Sequence, residues 1–404
     1  MPVPPDVRID TLLQHTGQAP LDPATGSGPV AMPSMRTSTV RFADMDALDR
    51  AQAAKARGER VPTYGRVGLQ THESLETLLC RLERGSRAFL APSGMAAISM
   101  ALMALVGQGD HVLAADCVYG PVRFLHKTVL SRMGVGMDFV RPTVAALQAA
   151  LRPETRVLYL ESPGSLLMEM LDLPELGRWA HDRGLVVVAD NTWGSGYIYQ
   201  PLALGADVSV VAVTKYVGGH SDLMLGAAVA RDETLNRRLG DTHYALGSTV
   251  SADDAWLALR GARTLGLRMR QSAEHALEVC RWLAARPEVS RLFHPAWPDD
   301  PGHMLWRRDA LGSNGMLSVA VDLDRAGARR LIDALRLFGI GYSWGGYESL
   351  ITQVESGALD THGYWDEHAD ARMRAGSVLR LHIGLEDPRD LIADLDQAFV
   401  HALA

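Results

Sequence analysis

The chain runs to 404 residues, 47% hydrophobic and 22% charged, a balance that suits a globular protein of two domains or of one large domain with an appendage. Forty basic against forty-seven acidic residues leave a net charge of −7, spread without long runs of one sign, which argues against a nucleic-acid or anionic-membrane surface. Three widely spaced cysteines, Cys80, Cys117 and Cys280, form neither a disulfide framework nor a CxxC motif, and the fourteen histidines include no HExxH-type spacing, so no metal site is expected.

The opening MPVPPDVRID lacks a basic start followed by an apolar stretch, and no apolar run approaches the roughly 18 residues of a membrane span. A cytoplasmic setting is expected. Residues 1–62 are rich in Pro, Gly, Ser and Thr around one helical stretch at 43–57, the composition of an extended arm lying on a neighbouring subunit or on its own body. The pattern then alternates. It predicts a helix at 75–82, a strand at 88–90, a helix at 95–105 opening after Ser93-Gly94, a strand at 110–115 and a helix at 122–133. A strand at 156–161, a helix at 173–183 and strands at 186–190 and 208–214 follow. Short apolar strands between helices predict an α/β unit over 63–260, with a largely parallel sheet covered on both faces. A strand-free helical stretch at 252–286 leads into a smaller C-terminal domain, 261–404. There, strands are expected at 315–321, 340–343 and 378–382, between helices at 326–338 and 388–402.

In open parallel sheets, ligands sit outside the carboxyl ends of the strands. Asp190 closes the run Val-Val-Val-Ala-Asp, and Lys215 closes Val-Val-Ala-Val-Thr-Lys. A charge ending an apolar strand is costly to bury unless it is paired or used. Two explanations compete. One is an internal Asp–Lys ion pair or a pair of solvated strand ends. The other is joint contact with pyridoxal 5′-phosphate (PLP), whose aldehyde a lysine binds covalently and whose ring nitrogen a carboxylate keeps protonated. A lysine displaced by substrate becomes a free amine able to move protons, and desolvation lowers its pKa to suit.

The phosphate of such a cofactor needs donors. Pro92-Ser93-Gly94-Met95 turns from strand into helix, so the N–H groups of Gly94 and Met95 can face an anion, although the same start is an ordinary N-cap. Thr214 adds a hydroxyl next to the lysine. Arg66, in Tyr64-Gly65-Arg66 where the arm meets the body, is either a bidentate phosphate ligand or a surface residue. Tyr119 either stacks on a flat ring or anchors the core. Arg380, within Val-Leu-Arg-Leu-His, either meets solvent or an ion pair, or captures a substrate α-carboxylate. Each alone is ambiguous, but a PLP site needs all of these roles together.

The same residues carry a family resemblance. The stretches are Glu161-Ser162-Pro163-Gly164-Ser165, Asp190-Asn191-Thr192-Trp193, Thr214-Lys215-Tyr216 with Gly219-His220-Ser221-Asp222, Ser343-Trp344-Gly345-Gly346-Tyr347-Glu348-Ser349 and Arg380-Leu381-His382-Ile383-Gly384. They resemble the Cys/Met-metabolism PLP-dependent enzymes, the cystathionine synthases and lyases of fold type I, from about Thr37 to the C-terminus. The resemblance implies a PLP-dependent transferase-like fold with a mostly parallel seven-stranded sheet in the large domain and a smaller α+β C-terminal domain. It implies Lys215 as aldehyde holder and proton shuttle, Asp190 on the pyridine nitrogen and Tyr119 stacked on the ring, with a catalytic part. Gly94, Met95 and Thr214 would hold the phosphate, joined by Tyr64 and Arg66 from an adjacent subunit. Arg380, Ser343, Trp344 and Tyr64 would hold substrate.

A homotetramer, a dimer of dimers with shared active sites, is implied as well. So is β-elimination from the amino-acid thioether L-cystathionine, giving homocysteine, pyruvate and ammonia. Tyr342 and Trp344 stand where γ-acting relatives often carry Glu and Leu, which favours β- over γ-chemistry. Val67 and Phe124 replace an Arg and an Asp found near the distal end of the substrate in a well-known type of member, so cystine and other cysteine S-conjugates are alternative substrates. A catalytically silent regulatory protein on this fold would be expected to lose Lys215 or Asp190, and both are present.

Overall fold

A computed structural model of the protein describes residues 7–403. Its larger sheet contains β1 (Arg87–Ala91), β2 (His111–Ala115), β3 (Gly136–Val140), β4 (Thr155–Glu161), β5 (Val186–Asp190), β6 (Val208–Val211) and β7 (Gly226–Ala230). These seven strands lie in the order β1-β7-β6-β5-β4-β2-β3. All neighbours are parallel except those of β7, which runs antiparallel to β1 and β6. The expected α/β architecture with a mostly parallel seven-stranded sheet is therefore present. β2, β6 and β7 bury every residue, so each reads as an unbroken apolar or small-residue run with no face turned to water. The periodicity predicts neither β3 nor β7. Gly-Met-Asp-Phe-Val lacks alternation, and Gly-Ala-Ala-Val-Ala is too small-sided to separate from a buried helix.

The helix expected at 122–133 is divided into an α-helix (Pro121–Leu125), a π turn (His126–Leu130) and a 3₁₀ turn (Ser131–Met133). The hydroxyls of Thr128 and Ser131 donate to the carbonyls of Phe124 and Lys127, at 2.7 and 3.0 Å, and compete with the helical ladder for those acceptors.

The smaller sheet contains β8 (Val289–Phe293), β9 (Met316–Val321), β10 (Gly339–Ile340), β11 (Leu350–Gln353) and β12 (Ser377–His382), in the order β10-β11-β12-β9-β8. It is antiparallel apart from β10 with β11. One helix serves both units. Leu265 and Met269 of helix Leu265–Ala284 pack in the core of the large sheet, while Ala276, Val279, Cys280 and Leu283 pack in that of the small one. Within the N-terminal arm, helix Ile9–His15 lies on the chain's own body: Leu12 and Leu13 are buried, and Asp10 accepts from the Tyr197 hydroxyl at 2.9 Å. The helical stretch expected at 43–57 appears as Met45–Ala56. Residues 1–6 of the arm lie outside the described residues.

Candidate active site

β6 stops at Val211, short of the expected end at 214. Thr192 Oγ1 takes the N–H of Ala212 at 2.9 Å, and the chain then curls. Lys215 N–H donates to Ala212 C=O at 3.0 Å, Gly218 N–H to Val213 C=O at 2.8 Å and Gly219 N–H to Lys215 C=O at 2.8 Å. The lysine is thus presented on a tight turn beyond the strand, not on the strand's last residue. Its Nζ donates to Ser343 Oγ at 2.5 Å and lies 5.4 Å from the centroid of the Trp344 ring. Burial first, and the charge of Arg380 second, push its pKa down to about 8. No carboxylate among the described residues is paired with it, so the internal Asp–Lys ion pair is not what this lysine makes.

The segment that meets the lysine is unusual. Instead of a strand over 340–343, only Gly339–Ile340 is extended into the sheet, and Ser343 sits at φ +98°. Gly345, at φ +85°, comes so close that a Cβ there would stand 2.8 Å from Tyr216 N and 2.9 Å from Lys215 C. His382 fixes this approach. Its Nε2 accepts from Gly345 N–H at 3.1 Å and its Nδ1 donates to Glu348 C=O at 3.0 Å, which defines one neutral tautomer. Burial holds its pKa down at about 4, so that tautomer persists at neutral pH.

Asp190 ends β5 and is buried, accepting from Thr192 N–H at 3.0 Å and Thr192 Oγ1 at 2.6 Å. Burial raises its pKa, and the Thr192 donors oppose the rise. Glu161 ends β4 beside it in register, and its Oε2 accepts Tyr119 N–H at 2.6 Å. The Tyr119 side chain is 43% exposed. Burial and Glu161 raise the pKa of its hydroxyl while the charge of Arg380 opposes them. Arg380 lies on β12 between Ser318 and Thr352. Burial lowers its pKa, and its guanidinium has no hydrogen-bonding or ion-pair acceptor among the described residues.

Helix Gly94–Leu105 begins against the same turn: a Cβ on Gly94 would stand 2.7 Å from Ala212 Cβ. Ser93 is its N-cap, taking Ala96 N–H on Oγ at 3.1 Å, and Ala97 N–H goes to Ser93 C=O at 3.0 Å. The N–H groups of Gly94 and Met95 have no partner among the described residues, so the ordinary cap and the open anion seat coexist. Thr214 is differently employed. Its hydroxyl accepts from Leu225 N–H at 2.9 Å and donates to Leu225 C=O at 3.1 Å, tying the lysine turn to the approach of β7. Tyr64 and Arg66 are not brought to Lys215 within one chain. Tyr64 precedes, and Arg66 lies within, the 3₁₀ turn Gly65–Val67, whose Gly65 N–H donates to Ser38 C=O, and Arg66 donates to Tyr244 C=O at 3.0 Å and stacks 4.4 Å from the Tyr244 ring centroid.

The family described as Cys/Met metabolism PLP-dependent enzyme matches residues 10–400. The cystathionine beta-lyase of Bordetella avium is 58% identical over 394 residues, which cover 98% of each chain. That of Escherichia coli K12 is 39% identical over 402 residues, again 98% of each. The solved structure of metB from Corynebacterium glutamicum has a TM-score of 0.86 at 29% identity, covering 98% of this chain and 99% of that one. The chain belongs to the Cys/Met-metabolism PLP-dependent enzymes.

PLP is the cofactor of this family member, and the site suits it on its own chemistry. Two unpaired helix-start N–H groups fit the phosphate, a buried carboxyl fits the ring nitrogen and an amine of lowered pKa fits the aldehyde. Thr192, Glu161 and His382 were given no role by the sequence. Thr192 carried a local signal, since a hydroxyl two residues after an aspartate can close on its carboxylate. Glu161 and His382 lay inside the family stretches, but their partners, Tyr119 and Gly345, are remote in the chain.

Proposed function

We propose that this chain is a PLP-dependent carbon–sulfur lyase that takes L-cystathionine and water to homocysteine, pyruvate and ammonia. One observation carries the reading: Lys215, whose Nζ donates to the Ser343 hydroxyl, lies close enough to Arg380 to feel its charge, and that half-buried guanidinium has no protein acceptor among the described residues. The reading is supported by 58% identity to a cystathionine beta-lyase over 98% of both chains.

Arg380 binds the substrate α-carboxylate bidentately and so fixes Cα relative to Lys215. When bound, PLP supplies an electron sink for the charge left at Cα. Lys215, with a pKa near 8, is neutral often enough at working pH to take the Cα proton. Asp190, its carboxylate aimed by two hydrogen bonds from Thr192, would hold the cofactor's ring nitrogen in its protonated form. Tyr119 would stack on the cofactor's ring, and Trp344 and Tyr216, 5.5 Å apart between centroids, wall one flank of the amine. Loss of the Cβ–S bond releases homocysteine thiol, and hydrolysis of the remaining three-carbon unit gives pyruvate and ammonia.

The assembly is read as a homotetramer, a dimer of dimers in the cytoplasm, with Tyr64 and Arg66 reaching an adjacent subunit's phosphate and substrate. Their outward placement with Tyr244, away from their own lysine, supports this. Incubating purified enzyme with L-cystathionine and identifying the keto acid tests the reaction: pyruvate is expected, and 2-oxobutyrate without pyruvate would replace the β-lyase with a γ-lyase. A second reading, a cystine or cysteine-S-conjugate β-lyase, is favoured by Phe124, an apolar side chain 67% exposed just past Tyr119. Ranking kcat/KM for cystathionine, cystine and S-alkylcysteines by pyruvate release decides between them.

A further inference from the structure

We propose that Glu161 is a positioning residue of this site, the brace that holds Tyr119 beside Asp190; the inference rests on the PLP reading above. β4 lies between β5 and β2 in the sheet. Its last residue, Glu161, therefore stands between Asp190 at the end of β5 and the loop that leaves β2 carrying Tyr119. Glu161 Oε2 accepts the Tyr119 amide at 2.6 Å, a short bond. Ser165 N–H donates to Cys117 C=O at 2.9 Å, so the segment leaving β4 grips the Tyr119 loop at two points. On the far side Val122 N–H returns to Tyr119 C=O at 2.9 Å. Tyr119 is 43% exposed, so packing within the chain holds it only in part. Removing the Glu161 side chain takes away the partner of the Tyr119 amide.

The pair of carboxyls adds a second argument. Side-by-side carboxyls at the ends of adjacent strands, with no cation among the described residues hydrogen-bonded to either, do not both ionise in a buried site. Asp190 has the N–H and the hydroxyl of Thr192 to stabilise its charge. Glu161 is pushed well up by burial and by the Asp190 charge, against the Tyr119 amide and the Ser165 hydroxyl, with Glu169 adding to the push. The shared proton therefore resides on Glu161. The pair presents one negative charge, on Asp190, to one protonated ring nitrogen, and Glu161 braces Tyr119 without adding a second charge beside it.

The test uses holoenzyme with Glu161→Ala and Glu161→Gln, Gln keeping an uncharged oxygen for the Tyr119 amide. For Glu161→Ala the expectation is a roughly tenfold weaker PLP dissociation constant, the cost of one strong hydrogen bond. Reduced induced circular dichroism of the bound cofactor and a lower kcat with a smaller change in KM should accompany it. Glu161→Gln should restore affinity and dichroism to within about threefold of wild type, since a neutral acceptor suffices. If Glu161→Ala fails to fold, Glu161→Asp, which shortens the reach to Tyr119, carries the same expectation of weakened dichroism. Unchanged PLP affinity and dichroism in Glu161→Ala, or in Glu161→Asp where it replaces it, overturn the brace. A Glu161→Gln as impaired as Glu161→Ala overturns its neutrality. Failure of the wild type to bind PLP is a separate outcome that removes the underlying reading instead.

Discussion

Two arginines lie near the turn that carries Lys215, Arg268 buried and Arg380 half-buried, and the fold treats them in opposite ways. Arg268, on helix Leu265–Ala284, is answered by protein. Its Nη2 donates to Gly261 C=O at 2.8 Å and reaches Val217 C=O at 3.5 Å, and its Nε donates to Thr264 Oγ1 at 3.0 Å. The turn makes room for it with Gly219, at φ +69°, where a Cβ would overlap Arg268 Nη1. Arg380 has no protein acceptor among the described residues. Arg268 thus has protein acceptors on Nε and Nη2, with only Nη1 unpartnered among the described residues, whereas the guanidinium assigned above to a ligand is kept from protein acceptors at some cost to stability. The contrast separates scaffold from site more sharply than burial does.

The largest effect should come from the lysine amine. Lys215→Ala should lower kcat by roughly 10⁴-fold or more, the upper end for a group moving protons. It should also leave a protein that borohydride no longer fixes to PLP, while thermal stability is unchanged or higher because a desolvated amine is gone. Residual turnover near wild type would remove Lys215 from the chemistry. Next comes Arg380→Ala, expected to lower kcat/KM by roughly 10²- to 10³-fold, the cost of truncating one partner of a buried charge pair. Its melting temperature should hold or rise, because no protein acceptor loses a partner. Arg268→Met should reverse that pattern, unfolding about 2 to 3 kcal/mol more easily since the Gly261 carbonyl loses a charged donor. Its folded fraction should stay within a few-fold of wild-type kcat/KM. A stability loss of equal size in both arginine variants would erase the distinction.

Much of this site was legible because it lies at strand ends. Asp190 and Lys215 interrupt apolar runs, and Ser93-Gly94 punctuates a strand-to-helix step, so local pattern alone flags them. The strand ending at Val211 was not legible. The residue that stops it, Thr192, comes from another strand end and captures Ala212 N–H. Ser343 likewise reads as strand until His382 and Glu348, both from elsewhere in the small domain, draw Gly345 onto the lysine turn. The answered state of Arg268 and the unanswered state of Arg380 depend on long-range geometry too. Each reads in sequence as an arginine among apolar neighbours, and only the partners tell them apart.

The smallest expected effect probes how the unanswered arginine acts before substrate arrives. Lys215 must be neutral to attack the PLP aldehyde, so reconstitution of apoenzyme should accelerate as pH rises through about 8 and level off above it. Arg380 is the second cause of that low value, after burial. In Arg380→Leu the repulsion is gone while burial remains, so the lysine pKa rises and the reconstitution curve moves to higher pH. The same depression has a stability consequence with a fixed sign. Between about 8 and the roughly 10.4 of an unfolded lysine, the unfolded chain binds more protons, so apoprotein stability climbs as pH rises through that window. Lys215→Met should abolish this climb, and Arg380→Leu should narrow it. A reconstitution curve that stays put in Arg380→Leu would mean that burial alone sets the lysine. Arg380 would then be a carboxylate receptor with no hold on the amine 128 residues away in sequence from its Ser343 partner.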